Sequence, residues 1–132
     1  MPRWLARRSW WRAAHGASIA VGIRGATRGE RFGAWIDPVH IDAVFTPEAL
    51  CAREPDTARA DLPAFALLRA VAPILSTSRL VWGPAGSAGF ELASGVATIT
   101  LDSDLDLIVR TPEPLPPADA AALFDKLSLA AH

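Results

Sequence analysis

The sequence predicts an α+β fold, and three observations lead there. Short segments rich in β-branched residues, at 18–24, 96–101 and 105–109, alternate with segments whose apolar residues recur at helical spacing. Glycine- and proline-bearing joints separate them. A hydrophobic fraction of 51% against 20% charged residues, over 132 residues, gives enough apolar surface for one domain and excludes a disordered chain. The whole of 1–132 reads as one domain with a basic, tryptophan-rich lead-in (1–17), an arginine-bearing part (18–60) and a core (61–132).

Taken in order, Ser18–Arg24 suits a strand, closed by turn chemistry at Gly25 and again around Gly29–Gly33. Residues 32–44 are mixed, with Trp35, Ile36, Val39, Ile41 and Val44 as candidate core contacts. Thr46-Pro47-Glu48 opens a helix, threonine capping and proline at the first helical position. Residues 52–60 are charged and read as loop. Asp61 is placed to cap a helix opening at Leu62-Pro63, in which Phe65, Leu67, Leu68, Val71, Ala72 and Leu75 keep helical spacing. That helix ends at Thr77-Ser78 unless Pro73 kinks it earlier. Arg79–Trp82 is a short strand running into a glycine-rich turn at 83–89. One or two helical turns at Phe90–Ala93 are closed by Ser94-Gly95. Strands follow at Val96–Leu101 and Leu105–Val109, then a linker at 112–117. A last helix at 118–131 would bury Leu123, Phe124, Leu127 and Leu129.

Composition excludes several function classes. One cysteine, Cys51, rules out a disulfide framework or a cysteine-rich zinc module, and it reads as a helix-end thiol without a role. No apolar run reaches the ~18 residues that span a bilayer. A net charge of -1 and a pI near 6.3 do not suit a nucleic-acid binder. Arginine supplies 12 of the 13 basic residues and Asn, Gln and Tyr are absent, a bias of genomic composition that makes the Arg/Lys ratio uninformative. The charge is nonetheless polarised. Residues 1–31 hold seven arginines against Glu30, and residues 102–132 hold six acids against Arg110 and Lys126. Arg7-Arg8-Ser9-Trp10-Trp11 has the look of a twin-arginine export signal, but His15 and Gly16 break the apolar stretch behind it. An amphipathic lead-in packing Trp4, Trp10 and Trp11, in a cytoplasmic protein, is the better reading.

Two neighbouring features carry candidate chemistry. Gly83-Pro84-Ala85-Gly86-Ser87-Ala88-Gly89 lacks the lysine of a Walker P-loop and the G-x-G-x-x-G spacing of dinucleotide folds. It keeps a Gly-Ser pair at a strand-to-helix junction, where free amides and a hydroxyl can hold a phosphate. The second feature is Asp102-Ser103-Asp104-Leu105-Asp106-Leu107. Strand alternation turns Asp104 and Asp106 to one face and Leu105 and Leu107 to the core. Two carboxylates ~7 Å apart along a strand repel unless a divalent cation lies between them. Mg²⁺ or Mn²⁺ suits such oxygen donors and usually also binds substrate phosphates. Each feature alone has an ordinary reading, as a turn and as a solvated strand entry.

Together, the strand ending in Gly86-Ser87, the short helix and the strand bearing Asp104-Leu105-Asp106 resemble the nucleotidyltransferase superfamily. More narrowly, residues 82–95 with Ser103–Leu107 and Arg110-Thr111-Pro112 are similar to malonate decarboxylase holo-acyl-carrier-protein synthases, the phosphoribosyl-dephospho-CoA transferases. Val21-Gly22-Ile23-Arg24-Gly25, with Arg28, Arg31, Phe32, Ala34 and Trp35, is similar to the same family's arginine-bearing segment. The resemblance implies a nucleotidyltransferase-like mixed sheet flanked by helices. It also implies transfer of phosphoribosyl-dephospho-CoA from triphosphoribosyl-dephospho-CoA to a serine of the malonate decarboxylase acyl-carrier subunit, with release of pyrophosphate. Asp104 and Asp106 would then hold Mg²⁺ or Mn²⁺, Gly86 and Ser87 would grip the pyrophosphate, and Arg24, Arg28, Arg31 and Arg110 would meet the remaining phosphate charge.

Superfamily members carry a third carboxylate on a strand beyond the helix after Asp-x-Asp, whereas this sequence ends with that helix. Asp119 and Asp125 lie on the helix instead. The resemblance therefore implies a C-terminally shortened chain missing its last strand or strands, with a sheet edge that invites homodimerisation. A shortened chain could be a non-catalytic remnant or a carrier-binding partner. A minimal nucleotidyltransferase using ordinary nucleoside triphosphates shares the same motifs. A serine hydrolase at Ser87 is disfavoured, because His15 and His40 precede the serine and His132 is terminal. Glu91 reads as a helix-surface acid, and Asp102 could assist a metal only if the strand already begins there.

Overall fold

The computed structural model describes residues 18–25, 27 and 29–131, so the basic lead-in with its tryptophans, Arg28 and His132 lie outside the described residues. The chain divides at Val44/Phe45 into two compact units.

In the first unit, β1 (Ile19–Arg24) pairs antiparallel with β2 (Arg31–Ile36), Ile19 opposite Ile36 and Arg24 opposite Arg31. The turn is closed by the Gly25 amide donating to the Glu30 carbonyl at 2.9 Å and by the Thr27 amide donating to the Glu30 carboxylate at 3.0 Å. A single 3₁₀ turn follows at Pro38–His40, capped by Asp37. Three of the expected core contacts do not hold, because Trp35, Val39 and Val44 are exposed. Trp35 stands on a sheet of two strands, too small to cover its own apolar residues, and Val39 and Val44 lie beyond that sheet.

The second unit begins with α1 (Pro47–Leu50), where the Thr46 hydroxyl accepts from the Ala49 amide as the sequence predicts. α2 (Pro63–Thr77) continues past Pro73 to the expected end. Its N-cap is Leu62 and not Asp61, which is exposed and ion-paired with Arg69 at 3.1 Å. The charged loop before it contains one 3₁₀ turn, Thr57–Arg59. β3 (Val81–Pro84) leads into α3 (Gly86–Ser94), so most of the glycine-rich segment is itself helical. Gly95 closes α3 in the left-handed conformation, φ 72°. β4 (Leu107–Arg110) pairs antiparallel with β3, Val81 opposite Arg110 and Pro84 opposite Leu107. α4 (Pro117–Ala130) packs on α2.

The core gathers Leu50 of α1, Ala64 and Phe65 of α2, Ala88 and Leu92 of α3, and Ile99, with Leu105 packed against them. α1 lies so close on β3 that a side chain at buried Gly83 would strike the Pro47 carbonyl. Among the described residues, the strands form two separate antiparallel pairs and not one mixed sheet.

The structure departs from the sequence expectation in three further places. Residues 96–101 form no strand, since the Thr98 and Ile99 amides donate to the Glu91 carboxylate at 2.7 and 2.8 Å and so have no need of a ladder partner. The later strand starts at Leu107, with 104–106 as extended lead-in. Phe124 and Leu129 of α4 are exposed, because only one narrow face of that helix meets α2.

Candidate active site

The β3–α3 junction is built around an unusual glycine. Gly86, the first residue of α3, has φ 55°, a conformation that disfavours any side chain. A Cβ there would also collide with the carboxylate of Asp106. The reason lies in the strand pairing. Pro84 faces Leu107, and one residue further on the Ala85 amide donates to the Asp106 carbonyl at 2.9 Å. That bond fixes Asp106 beside the start of α3.

No side chain caps α3. The first-turn amides of a helix have no intrahelical acceptor and carry the positive end of its dipole. Gly86 is exposed and Ser87 half-buried, so this end is open to a ligand. Burial alternates through 103–109: Asp104, Asp106 and Ile108 are exposed, while Ser103, Leu105, Leu107 and Val109 are partly covered. The facing predicted for the two aspartates therefore holds, although only the residues from 107 onward pair as strand. Asp102 is also exposed.

The described candidate arginines belong to both units. Arg24 and Arg31 are directly opposed at the turn end of the hairpin in the first unit, with Arg31 exposed. Arg110, in the second unit, donates from Nε to the Glu48 carboxylate and ties β4 to α1. Burial pulls the Glu48 carboxyl upward, but the Arg110 hydrogen bond and the α1 and Thr46 bonds hold it below its ordinary value. Cys51 donates to the Trp82 carbonyl at 3.3 Å, and burial together with the Glu48 charge pushes its thiol up, which does not make a nucleophile.

Glu91 is the residue that the sequence misplaces. It is buried, at 5% exposure, and not a surface acid. Arg59 donates to it from Nε at 2.5 Å and from Nη2 at 3.1 Å, and the same Nη2 reaches the Ile99 carbonyl at 2.7 Å. The Arg59 hydrogen bond outweighs burial and, with the Ile99 and Thr98 amides, holds Glu91 at about 2. Arg53 grips the other end of α3. Its Nη1 donates to the Leu92 and Ala93 carbonyls at 3.2 and 3.3 Å, where the helix dipole favours a cation, and its guanidinium lies 4.1 Å from the Phe45 ring centre.

A helix-start glycine thus faces the second aspartate of Asp-x-Asp. Residues 49–132 match the family described as phosphoribosyl-dephospho-CoA transferase MdcG C-terminal domain. The chain belongs to this family. It is similar to the phosphoribosyl-dephospho-CoA transferase of Pseudomonas aeruginosa, 48% identical over 108 residues that cover 82% of this chain and 51% of that one. The Pseudomonas putida relative of the same name is 44% identical over 112 residues, 85% of this chain and 53% of its own. The Azotobacter vinelandii relative is 41% identical over 111 residues, 83% and 52%. The chain thus spans about half the length of the curated relatives it matches. No solved structure is a significant match.

Within this MdcG-type unit, the donor set can be tested against a divalent cation. Asp104 and Asp106 offer exposed hard oxygens, and Asp106 stands where Gly86 leaves it room. No cluster of three or more His, Cys, Asp or Glu suited to a metal exists among the described residues. Two carboxylates fit Mg²⁺ as a partial shell, the kind that water and substrate phosphates complete. The helical period placed Glu91 with Ala88 and Leu92 on the buried face of α3, a signal available in the sequence. Nothing local marks Arg59 or Arg53, whose partners are 32 and 39 residues away.

Proposed function

We propose that this MdcG-family chain transfers phosphoribosyl-dephospho-CoA from triphosphoribosyl-dephospho-CoA to a serine of the malonate decarboxylase acyl-carrier subunit, releasing pyrophosphate, in the cytoplasm. The supporting observation is the Asp106 carboxylate lodged against Gly86 at the open start of α3. That contact puts anionic oxygens beside the amides of Gly86 and Ser87, one side for a cation and one for a phosphate. Asp104 and Asp106 are the residues that would hold Mg²⁺, which supplies neutralisation of the phosphate charge. Ser87 and the first-turn amides bind the pyrophosphate as it leaves. Arg110, 41% exposed at its side chain, keeps its Nη nitrogens for a neighbouring phosphate oxygen while Nε stays on Glu48. Arg24, Arg28 and Arg31 are the further phosphate partners proposed from the arginine-bearing segment.

The transfer itself needs little from the protein beyond positioning and charge neutralisation, since the triphosphate brings its own leaving group. The serine oxygen bonds to the phosphorus nearest the ribose as the bond to pyrophosphate breaks. A minimal nucleotidyltransferase using ordinary nucleoside triphosphates is not favoured, because the relatives share the name phosphoribosyl-dephospho-CoA transferase.

Intact-mass spectrometry of the apo carrier subunit, incubated with the chain, Mg²⁺ and triphosphoribosyl-dephospho-CoA, tests this reading. The carrier gains the mass of the transferred group with the native chain and not with Asp104→Ala/Asp106→Ala. An unmodified carrier after incubation with demonstrably folded chain refutes the transferase and leaves a carrier-binding or remnant role.

A further inference from the structure

The aspartates stand on a segment, 95–106, that belongs to no sheet. Its local geometry is nevertheless specified from end to end. It starts at the Gly95 cap, where the Gly95 amide donates to the Glu91 carbonyl at 2.8 Å. Next, the Thr98 and Ile99 amides both donate to Glu91 Oε2, and Arg59 Nη2 donates to the Ile99 carbonyl. A tight turn follows, with the Thr100 amide donating to Ser103 Oγ at 2.9 Å. Leu105 then enters the core, and Asp106 meets Ala85 and Gly86.

Glu91 is the one side chain that holds this segment to α3 by hydrogen bonds at both Thr98 and Ile99. It sits five residues beyond Gly86 on the same helix. The helix that presents the Gly-Ser pair thus also fixes the segment presenting the aspartates. We propose that Glu91, clamped by Arg59, is a positioning residue for the transfer site: it substitutes for a strand partner at Thr98–Ile99 and so sets the path of the chain into Asp104 and on to Asp106, whose backbone the Ala85 bond holds at the start of α3. The inference rests on the assignment of those two aspartates to the transfer chemistry.

Glu91 has the acceptor capacity and the reach for this part. A carboxylate can accept several N–H bonds at once, and charge-assisted bonds are roughly twice as strong as neutral ones. Thr98, Ile99 and Arg59 Nη2 donate to Oε2 and Arg59 Nε to Oε1, so in Glu91→Gln the one oxygen left loses the charge that strengthens its bonds while the NH₂ is set against the Arg59 Nε donor, and the clamp should loosen at conserved volume. The segment then keeps only its apolar anchors, Ile99 and Leu105, and Asp104, which lies between them, samples more positions.

The test uses the full chain as Glu91→Gln, with Arg59→Lys as a second variant and Val71→Ala as a control destabilised in the core away from the segment. Hydrogen exchange, Mn²⁺ binding by water-proton relaxation, and kcat and KM for the transfer are read on each. In Glu91→Gln the Thr98 and Ile99 amides, and those of Thr100 and Ser103 in the turn before Asp104, are expected to exchange at least tenfold faster than in the native chain. Mn²⁺ affinity falls at least tenfold, and kcat falls with donor KM within twofold. Val71→Ala leaves Mn²⁺ affinity and kcat near native values. Unchanged exchange at Thr98 and Ile99 overturns the inference, as does faster exchange there with native Mn²⁺ affinity. If Glu91→Gln does not fold, Arg59→Lys is read by the same criteria. A native chain that neither binds Mn²⁺ nor transfers refutes the site assignment instead. The exchange at Thr100 and Ser103 then decides the clamp by itself: acceleration supports it, and loss of protection confined to 98–99 overturns it.

Discussion

Asp106 occupies the volume that a side chain at position 86 would need, and Gly86 leaves it free. The two residues are 20 apart in sequence and are joined through one backbone bond, Ala85 to Asp106, at the end of the β3–β4 pair. The Gly-Ser and Asp-x-Asp motifs are therefore two halves of one local structure. Strand register sets their spacing, and α3 sets the direction of the open amides.

Gly86→Ala should cost about 1–2 kcal/mol of stability from the left-handed backbone alone. The new methyl group also displaces the Asp106 carboxylate, so transfer falls much further than stability. Urea unfolding beside the carrier mass assay separates the two effects. Full activity in Gly86→Ala would contradict the proposed site.

Gly83→Ala acts on the frame and not on the chemistry. Its methyl group meets the Pro47 carbonyl and the Glu48 amide, which are backbone atoms without freedom to rotate away. Overpacking of this kind costs typically 1–3 kcal/mol, and the strand-to-α1 approach puts this site at the upper end. The expected outcome is a lower urea midpoint with an unchanged m-value.

Acid should weaken the fold through Glu91. Its carboxyl lies at about 2 when folded, against 4.5 ordinarily, so the unfolded chain binds the proton first. The stabilisation is complete above pH 4.5 and is lost as pH falls toward 2; the shift corresponds to roughly 3 kcal/mol. Stability measured from pH 5 to 2.5 should fall less steeply in Glu91→Gln than in the native chain.

Arg110 and Glu48 should couple in a double-mutant cycle with Arg110→Gln and Glu48→Gln. The pair is partly exposed, 41% and 24% at the side chains, so the expected coupling is about 0.5–1 kcal/mol. If Arg110 also meets the substrate, Arg110→Gln raises donor KM while Glu48→Gln does not.

Chelation of divalent cations should abolish transfer, with Mg²⁺ restoring it. Asp104→Asn and Asp106→Asn should each lower kcat by roughly 100-fold or more, the scale of several kcal/mol of lost charge stabilisation. Steady-state rates over a Mg²⁺ titration check both statements.

How much of this was legible beforehand depended on how far apart the interacting groups are. Thr46-Pro47 at the start of α1 and Ser94-Gly95 at the end of α3 follow local rules, and the structure places them as expected. The alternation that exposes Asp104 and Asp106 is equally local. Asp61 failed as a cap because Arg69, two turns into the helix, takes its carboxylate. Residues 96–101 failed as a strand although their β-branched composition suited one. Propensity describes what a segment tolerates, and a buried carboxylate on the neighbouring helix supplied the acceptor that a strand would have.

The sequence by itself determined the α+β class, the caps at Thr46 and Gly95, the Gly-Ser and Asp-x-Asp motifs and the family resemblance, all of them properties of neighbouring residues. Only the tertiary structure decided that Asp106 rests on Gly86, that Arg110 is shared with Glu48, and that Glu91 is buried beneath Arg59. The physical reason is that a buried charge is tolerable only where distant donors converge on it. For Glu91 those donors come from residue 59 on one side and residues 98 and 99 on the other.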